Sequence, residues 1–294
     1  MTALLALALL AGVSPPPAPC AAYEAIFARG QLLPGGEPAC AAALAEACDS
    51  GRRLACAALG AALSVGAGVP ADLPRARGLL ERACRAGVAA ACAALGDLRA
   101  RAGDGTGAAA ARAEGCALGD GAACADLARA APEGSSRALE ERACDLGAPE
   151  GCIGLARRDA TPEVERAALV RRACALGSAE GCEAARAPEL ARGCDAGEAP
   201  ACLALGKLLQ EGRALPGDGA RAAALYGRAC DAGLAEGCVR LGLLHRFAAG
   251  VPLDEDRAAV LLERACRLGD DDGCRLRDDP VRLRADPERA AQTP

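Results

Sequence analysis

The sequence has almost no aromatic residues: two tyrosines, two phenylalanines and no tryptophan among 294 residues. An ordinary globular core of this size buries many aromatic side chains, because each of them removes a large area from water. Alanine is abundant and β-branched residues are sparse, which favours helices over strands. The composition therefore excludes a conventional aromatic-rich core and predicts thin, closely packed layers of helices.

Histidine and lysine are also nearly absent, with His245 and Lys207 as the single examples. Zinc sites need histidines, or cysteines two to four residues apart, and no CxxC pair occurs, which also argues against thioredoxin-like and CxxCH haem sites. The Ser-x-x-Lys pair of serine β-lactamases is missing, because Ala204 stands three residues before Lys207. We therefore expect no catalytic residue, no metal site and no cofactor.

A basic surface and a long apolar run are missing as well. The net charge is −5, and few aromatics are available to stack on bases, so we expect no nucleic-acid partner. The apolar run at residues 2–13 has the length of a signal-peptide core and is too short for a membrane span. No basic residue precedes this run, and no clean A-x-A cleavage site follows it.

We nevertheless interpret residues 1–19 as a signal peptide with a proline-rich linker, because cysteine is so abundant, and we expect a periplasmic or secreted protein without a membrane span. Lipid anchoring at Cys20 is the less favoured alternative. The residues before it, Pro17-Ala18-Pro19, do not match a lipoprotein cleavage box.

What the chain does have is 18 cysteines, sixteen of them in eight pairs with seven residues between partners. A glycine stands three residues after the first cysteine of every pair, which predicts a left-handed residue just past the end of a helix. In most pairs a leucine and a small residue follow the second cysteine at helical spacing, which predicts the start of a new helix. Each pair therefore brackets a helix–turn–helix junction.

The constant gap indicates which cysteines are bonded to each other. The segments between pairs vary from 11 to 27 residues, whereas the seven-residue gap never changes. A disulfide needs Cα atoms within about 7 Å, so we pair the cysteines inside each C-x7-C unit. The predicted disulfides are Cys48–Cys56, Cys84–Cys92, Cys116–Cys124, Cys144–Cys152, Cys174–Cys182, Cys194–Cys202, Cys230–Cys238 and Cys266–Cys274.

The two ends of the chain are less regular. Cys20 and Cys40 have no C-x7-C partner with a turn glycine, and we predict a Cys20–Cys40 bridge that closes the array. Residues 278–294, rich in Asp, Arg and Pro, are predicted to form a polar, disordered tail. Residues 20–277 are then the repeat domain.

Between the pairs, the longest segments show a repeating unit of 36 residues. Leu59-Gly60 leads through Gly66, Gly68 and Val69 to a second helical pattern that ends at Ala83-Cys84. A fixed period of this size is typical of stacked hairpins, because each hairpin buries its apolar face only against its neighbours.

These residues resemble the Sel1-like repeat, and the added C-x7-C unit resembles the cysteine-rich Sel1 proteins first named from Helicobacter, the Hcp family. The resemblance covers roughly residues 40–274 and implies an all-α fold, an α/α superhelical solenoid related to tetratricopeptide arrays. The chain departs from the pattern in its middle, where the spacing of second cysteines falls to 20 residues between Cys182 and Cys202.

Two functions follow from the residues and the resemblance. The first is a monomeric, non-catalytic scaffold that binds a protein or peptide in a concave groove, where arginines would contact carboxylates. The second, implied by the resemblance alone, is a penicillin-binding protein or weak β-lactamase, as members of the Hcp family have been described.

A few single residues could be mistaken for functional sites. His245 and Tyr226 fall at apolar helix positions, so we interpret both as core residues. Tyr23 and Phe27 are predicted to cover the open end of the stack, and the run Asp270-Asp271-Asp272 is predicted to be solvated.

Overall fold

The computed structural model describes residues 38–132 and 135–278, and in these ranges it contains sixteen α-helices and no strand. The all-α prediction is confirmed. In chain order the helices are α1 Pro38–Asp49, α2 Arg53–Val65, α3 Leu73–Arg85, α4 Ala89–Arg101, α5 Gly105–Ala117, α6 Gly121–Ala130, α7 Arg137–Asp145, α8 Pro149–Ala156, α9 Glu163–Ala175, α10 Ala179–Ala185, α11 Ala187–Asp195, α12 Ala199–Glu211, α13 Gly219–Asp231, α14 Ala235–Phe247, α15 Glu255–Arg267 and α16 Asp271–Asp278.

The chain divides into two compact units, Met1–Gly151 and Cys152–Pro294. In each unit a helix packs mainly on the helices before and after it, which is the arrangement of a solenoid of helical hairpins. No described helix has the length and apolar character needed to cross a membrane. The predicted signal segment, Tyr23, Phe27 and all of the predicted tail except Asp278 lie outside the described residues.

Every junction between an odd-numbered helix and the following even-numbered helix has the same local structure. The first helix ends one residue after the first cysteine, and the next begins three residues before the second cysteine. All eight turn glycines have positive φ, between 84° and 96°, as predicted from their spacing. The N–H after each glycine bonds the carbonyl that precedes the first cysteine, at 2.9–3.1 Å, so each turn is a Schellman motif.

The disulfides of the structure join the two helices across these turns. Seven C-x7-C pairs are bonded, with Cα–Cα distances between 4.4 and 4.7 Å. Cys144, Cys152 and Cys40 are also disulfide-bonded. Cys20, the predicted partner of Cys40, lies outside the described residues. The seven bonds therefore close turns that the backbone hydrogen bonds already define.

In several even-numbered helices, close approach to the next helix depends on the glycine that follows the leucine. A Cβ on Gly206 would lie 2.6 Å from the ring of Tyr226, and one on Gly60 would lie 2.9 Å from Leu80. Tyr226 is fully buried, as predicted, and its hydroxyl donates a hydrogen bond to Gln210 Oε1 at 2.7 Å. Burial raises the pKa of this phenol well above its usual range.

Two of the arginines that stand two residues before a first cysteine, Arg228 and Arg264, connect successive odd-numbered helices. Arg264 reaches Asp231 at 2.9 Å, and Arg228 reaches both Asp195 at 3.1 Å and the carbonyl of Cys194. In each case the cation lies at the C-terminal end of the preceding helix, where the helix dipole favours positive charge.

Ala248 is the only described non-glycine residue with positive φ, at 55°. It ends α14 at the position where Gly66 ends α2 and Gly212 ends α12. The left-handed conformation brings Cβ close to the following carbonyl oxygen, so alanine is strained at a cap that glycine occupies without this steric clash.

We expect the double substitution Cys230→Ala/Cys238→Ala to lower the free energy of unfolding of the oxidised protein by about 2–4 kcal/mol. Closing a nine-residue loop removes roughly 2.6 kcal/mol of unfolded-chain entropy, and both sulfurs are buried. Urea unfolding followed by circular dichroism measures the change. The difference from the wild type should shrink after full reduction, and equal stability of the two oxidised proteins would contradict this role of the disulfide.

We expect Ala248→Gly to raise the free energy of unfolding by about 1 kcal/mol, because glycine removes the left-handed strain. The matched control is Ala249→Gly, one residue further along, where φ is not positive. That substitution should leave stability unchanged or lower it, because glycine loses more conformational freedom on folding. Thermal unfolding of both variants decides the matter, and a gain in both would point to a cause other than strain.

Candidate functional site

The single histidine and the single lysine both have structural partners. His245 is buried, and its Nδ1 lies 3.3 Å from the carbonyl oxygen of Pro252, in the loop that follows its own helix. Lys207 Nζ lies 2.6 Å from Glu236 Oε1. This hydrogen bond is the main reason why the pKa of Glu236 is lowered. His245 therefore contacts the loop that follows α14, and Lys207 connects α12 to α14.

The acidic run of the last turn is only partly a solvated surface. Asp271 and Asp272 are exposed, as predicted. Asp270 is instead the N-cap of α16, because its Oδ1 accepts a hydrogen bond from the N–H of Gly273 at 2.8 Å. The prediction was wrong for Asp270, because a carboxylate just before a helix is drawn to the unpaired N–H groups of the first turn.

One group of potential metal ligands occurs among the described residues. The sulfurs of Cys84 and Cys92 and the carboxylate of Glu114 lie within 4.8 Å of one another. The two sulfurs are bonded to each other, so they provide no thiolate for a metal. This group is a disulfide with an acidic neighbour.

In the first unit, one side of α3 forms a basic surface, which we call the arginine face: Arg75, Arg82 and Arg85. These three side chains are exposed and line an open depression together with Leu59 and Leu79. Two carboxylates, Asp49 and Glu81, also line it, and Glu81 is paired with Arg99. Arg85 Nε donates a hydrogen bond to a carbonyl of its own helix, whereas the guanidinium groups of Arg75 and Arg82 have no partner among the described residues. The arginine face can therefore hold carboxylates.

In the second unit, the shortest repeat produces a pocket. Helices α10 and α11 span only Ala179–Ala185 and Ala187–Asp195, whereas α9, α12 and α13 have thirteen residues each. The short helices leave the space between the longer ones unfilled, and a cavity of about 250 Å³ results. We call it the short-repeat pocket.

The floor of the short-repeat pocket is apolar. Buried side chains of Val170, Leu205, Leu209 and Leu215 line it, together with several alanines. Arg166 forms part of the wall and supports the loop before α9. Its guanidinium donates hydrogen bonds to the carbonyl oxygens of residues 156, 161 and 158, at 3.0, 2.9 and 3.3 Å.

The rim of the short-repeat pocket carries charges of both signs. Arg171 and Arg221 are exposed cations, and Asp159 and Glu163 are exposed anions. None of these four side chains has an ion pair or a hydrogen bond among the described residues. The pocket therefore combines an apolar floor with charged groups that are free to meet a ligand.

Sequence reasoning missed both the pocket and its charges, although two signals were available. The 20-residue spacing between Cys182 and Cys202 identified the short repeat but not the space that it leaves. Arg171 stands three residues before a first cysteine, where three other repeats have glutamate: Glu81, Glu141 and Glu263. A basic residue at this position is a visible departure from the repeat pattern.

We expect Arg166→Lys to loosen the loop between α8 and α9, because one ammonium nitrogen cannot reproduce a guanidinium fork that reaches three carbonyls. Hydrogen exchange at the amide of Thr161 should accelerate by about tenfold or more, since hydrogen bonds to charged groups are worth about 1.5–3 kcal/mol. Arg171→Lys, on the same helix but with no side-chain partner among residues 38–132 and 135–278, is the control and should leave exchange unchanged. Unchanged exchange in both variants would rule out the supporting role.

Comparison with known proteins gives one family match. The model of the Sel1 repeat matches residues 53–88, 199–234 and 235–270. No curated protein matches the chain. The first matched segment lies in the first unit, and the other two follow each other in the second unit.

Several solved structures are also similar. The protective antigen c5321 of uropathogenic Escherichia coli, which displays an SLR fold, is 17% identical, with a TM-score of 0.46, and the match covers 88% of this chain and 63% of that protein. A Sel1 repeat protein from Oxalobacter formigenes is 21% identical, with a TM-score of 0.42 and coverages of 87% and 74%. Helicobacter pylori cysteine-rich protein B is 25% identical, with a TM-score of 0.27 and coverages of 47% and 90%. The chain thus spans less than two thirds of the E. coli antigen, and the segments that match the Sel1 repeat model occur in both of its units.

Proposed function

We propose that the protein is an exported, disulfide-stapled Sel1-repeat scaffold that binds a protein or peptide partner and catalyses no reaction. The observation that carries the proposal is that no described cysteine is free. Disulfides form and persist in oxidising compartments, which supports a periplasmic or secreted location. The C-x7-C units also support a place in the cysteine-rich Hcp family.

The proposal includes the ends of the array. The repeat domain extends over residues 20–277, behind a signal segment at 1–19 and before a polar tail at 278–294, and the mature protein is a monomer. A Cys20–Cys40 bridge closes the N-terminal end, and the disulfide-bonded state of Cys40 supports this assignment. Mass spectrometry of peptides from the unreduced mature protein tests the pairing and the signal cleavage together.

The arginine face is the surface that we assign to the partner. Guanidinium groups bind carboxylates bidentately, and two of the three arginines have no internal partner among the described residues. A cation that is already exposed and unpaired loses little when it binds an anion. An acidic segment of a protein or peptide has the matching charge.

The described residues offer no specific support for catalysis on β-lactams. Lys207 is hydrogen-bonded to Glu236, and no serine lines the short-repeat pocket or the depression at the arginine face. A scaffold needs only a stable surface of suitable charge, and stapled hairpins provide one.

We expect Arg75→Glu/Arg85→Glu to abolish capture of the partner by the oxidised full-length protein from periplasmic or extracellular extract. Charge-assisted contacts are worth about 1.5–3 kcal/mol each, so affinity should fall by at least about tenfold. The matched control is Arg257→Glu/Arg267→Glu. It reverses two charges at the equivalent repeat positions of α15 and changes the net charge of the protein by the same amount.

The control should retain the partner that the wild type captures. Equal loss in both variants would assign the effect to overall charge and contradict the arginine face as the binding surface. A chain that stays in the cytoplasm with free thiols would contradict the exported scaffold itself.

A further inference from the structure

We propose that the short-repeat pocket binds a free peptide of two or three residues, with an apolar side chain on the floor and both charged termini at the rim. This ligand is a small molecule, distinct from the macromolecular partner of the arginine face. The inference does not depend on the scaffold function, since the pocket and the arginine face lie in different units.

The first argument is the charge of the rim. Arg171 and Arg221 are available to a carboxylate, whereas Asp159 and Glu163 are available to an ammonium group. Two cations and two anions line one small cavity without pairing with each other, so each retains its capacity for a charge-assisted hydrogen bond. A ligand with one group of each sign satisfies both sets.

The other polar residues of the lining are already committed. The Arg166 guanidinium donates hydrogen bonds to three backbone carbonyls. Asp218 Oδ1 accepts a hydrogen bond from the backbone N–H of Arg221 at 2.8 Å and caps α13. These contacts hold the pocket wall in place, and they leave the recognition of ligand charge mainly to the four rim residues.

The second argument is the apolar floor. Val170, Leu205 and Leu209 line the floor, and the surface that they present to the pocket is apolar, so an aliphatic side chain seated there exchanges water for apolar contacts. Burial of an aliphatic side chain is worth about 1.5–3 kcal/mol. The ligand therefore needs an aliphatic side chain of the size of leucine or valine between its charged ends.

The third argument is size. A cavity of about 250 Å³ is smaller than the roughly 300–1,000 Å³ of pockets that hold drug-sized ligands. Glu163 and Arg171 are eight residues apart on α9, which places their Cα atoms about 12 Å apart along the helix axis. An extended tripeptide spans at most about 11 Å. The backbone of a dipeptide or tripeptide covers most of this distance, whereas a single amino acid bridges the two residues only if both side chains stretch toward it, at a cost in side-chain conformational freedom.

Isothermal titration calorimetry on the oxidised full-length protein tests the proposal with four probes: Ala-Leu-Ala with free termini, its N-acetylated form, its C-terminal amide, and free leucine. We expect the free tripeptide to bind and each of the other three probes to bind at least tenfold more weakly. Absence of binding by the free tripeptide at millimolar concentration overturns the proposal, and so does equal binding of the free and blocked tripeptides.

Two variants assign the charges. Arg171→Gln should remove most of the preference for the free acid over the amide, and Glu163→Gln should remove most of the preference for the free amine over the acetylated form. Each preference is a ratio measured within one variant, so a small loss of stability does not affect it. Arg257→Gln, at the repeat position of Arg221 but outside the pocket, should keep both preferences. If both preferences survive in both pocket variants, or if either is lost in the Arg257→Gln control, the assignment of Arg171 and Glu163 to the ligand's termini is refuted.

Discussion

Covalent closure of the glycine turn is the constraint on which the rest of the structure depends. Each turn already has a left-handed glycine and the hydrogen bonds of a Schellman motif, so the disulfide forms across helix ends that local structure has brought together. The chain needs this closure because alanine-rich helices with few aromatics bury little apolar area per residue. The disulfides stabilise the fold by limiting the entropy of the unfolded chain. A larger core would have stabilised it through additional contacts instead.

Because the turns are identical, variation between repeats is confined to the helices and to the loops at their other ends. The repeat with the shortest helices leaves a cavity where its neighbours extend beyond it, and three of the four charged rim residues, Glu163, Arg171 and Arg221, belong to the longer helices. A uniform array would have no such pocket. Irregularity in repeat length is therefore the property that distinguishes one site of this solenoid from the others.

Much of the fold was predictable from spacing. Cysteine and glycine at constant separation predicted where each helix ends and where the next begins, since a left-handed residue and a disulfide both have strict local geometry. The core positions of Tyr226 and His245 followed from helical periodicity. The cap formed by Asp270 was missed, because a run of three aspartates does not show which of them precedes the first helical residue.

The sequence by itself determined the helix ends and the turns, because each depends on residues fewer than ten positions apart, and it determined the repeating unit because the same pattern recurs along the chain. Only the tertiary structure decided which arginines are paired and which are free. Arg228 and Arg264 contact aspartates 33 residues away, whereas Arg171 and Arg221 contact no charged partner in the part of the chain that the structure describes. The reason is that a long charged side chain finds its partner on a neighbouring helix, and the distance between helices follows from packing rather than from local sequence.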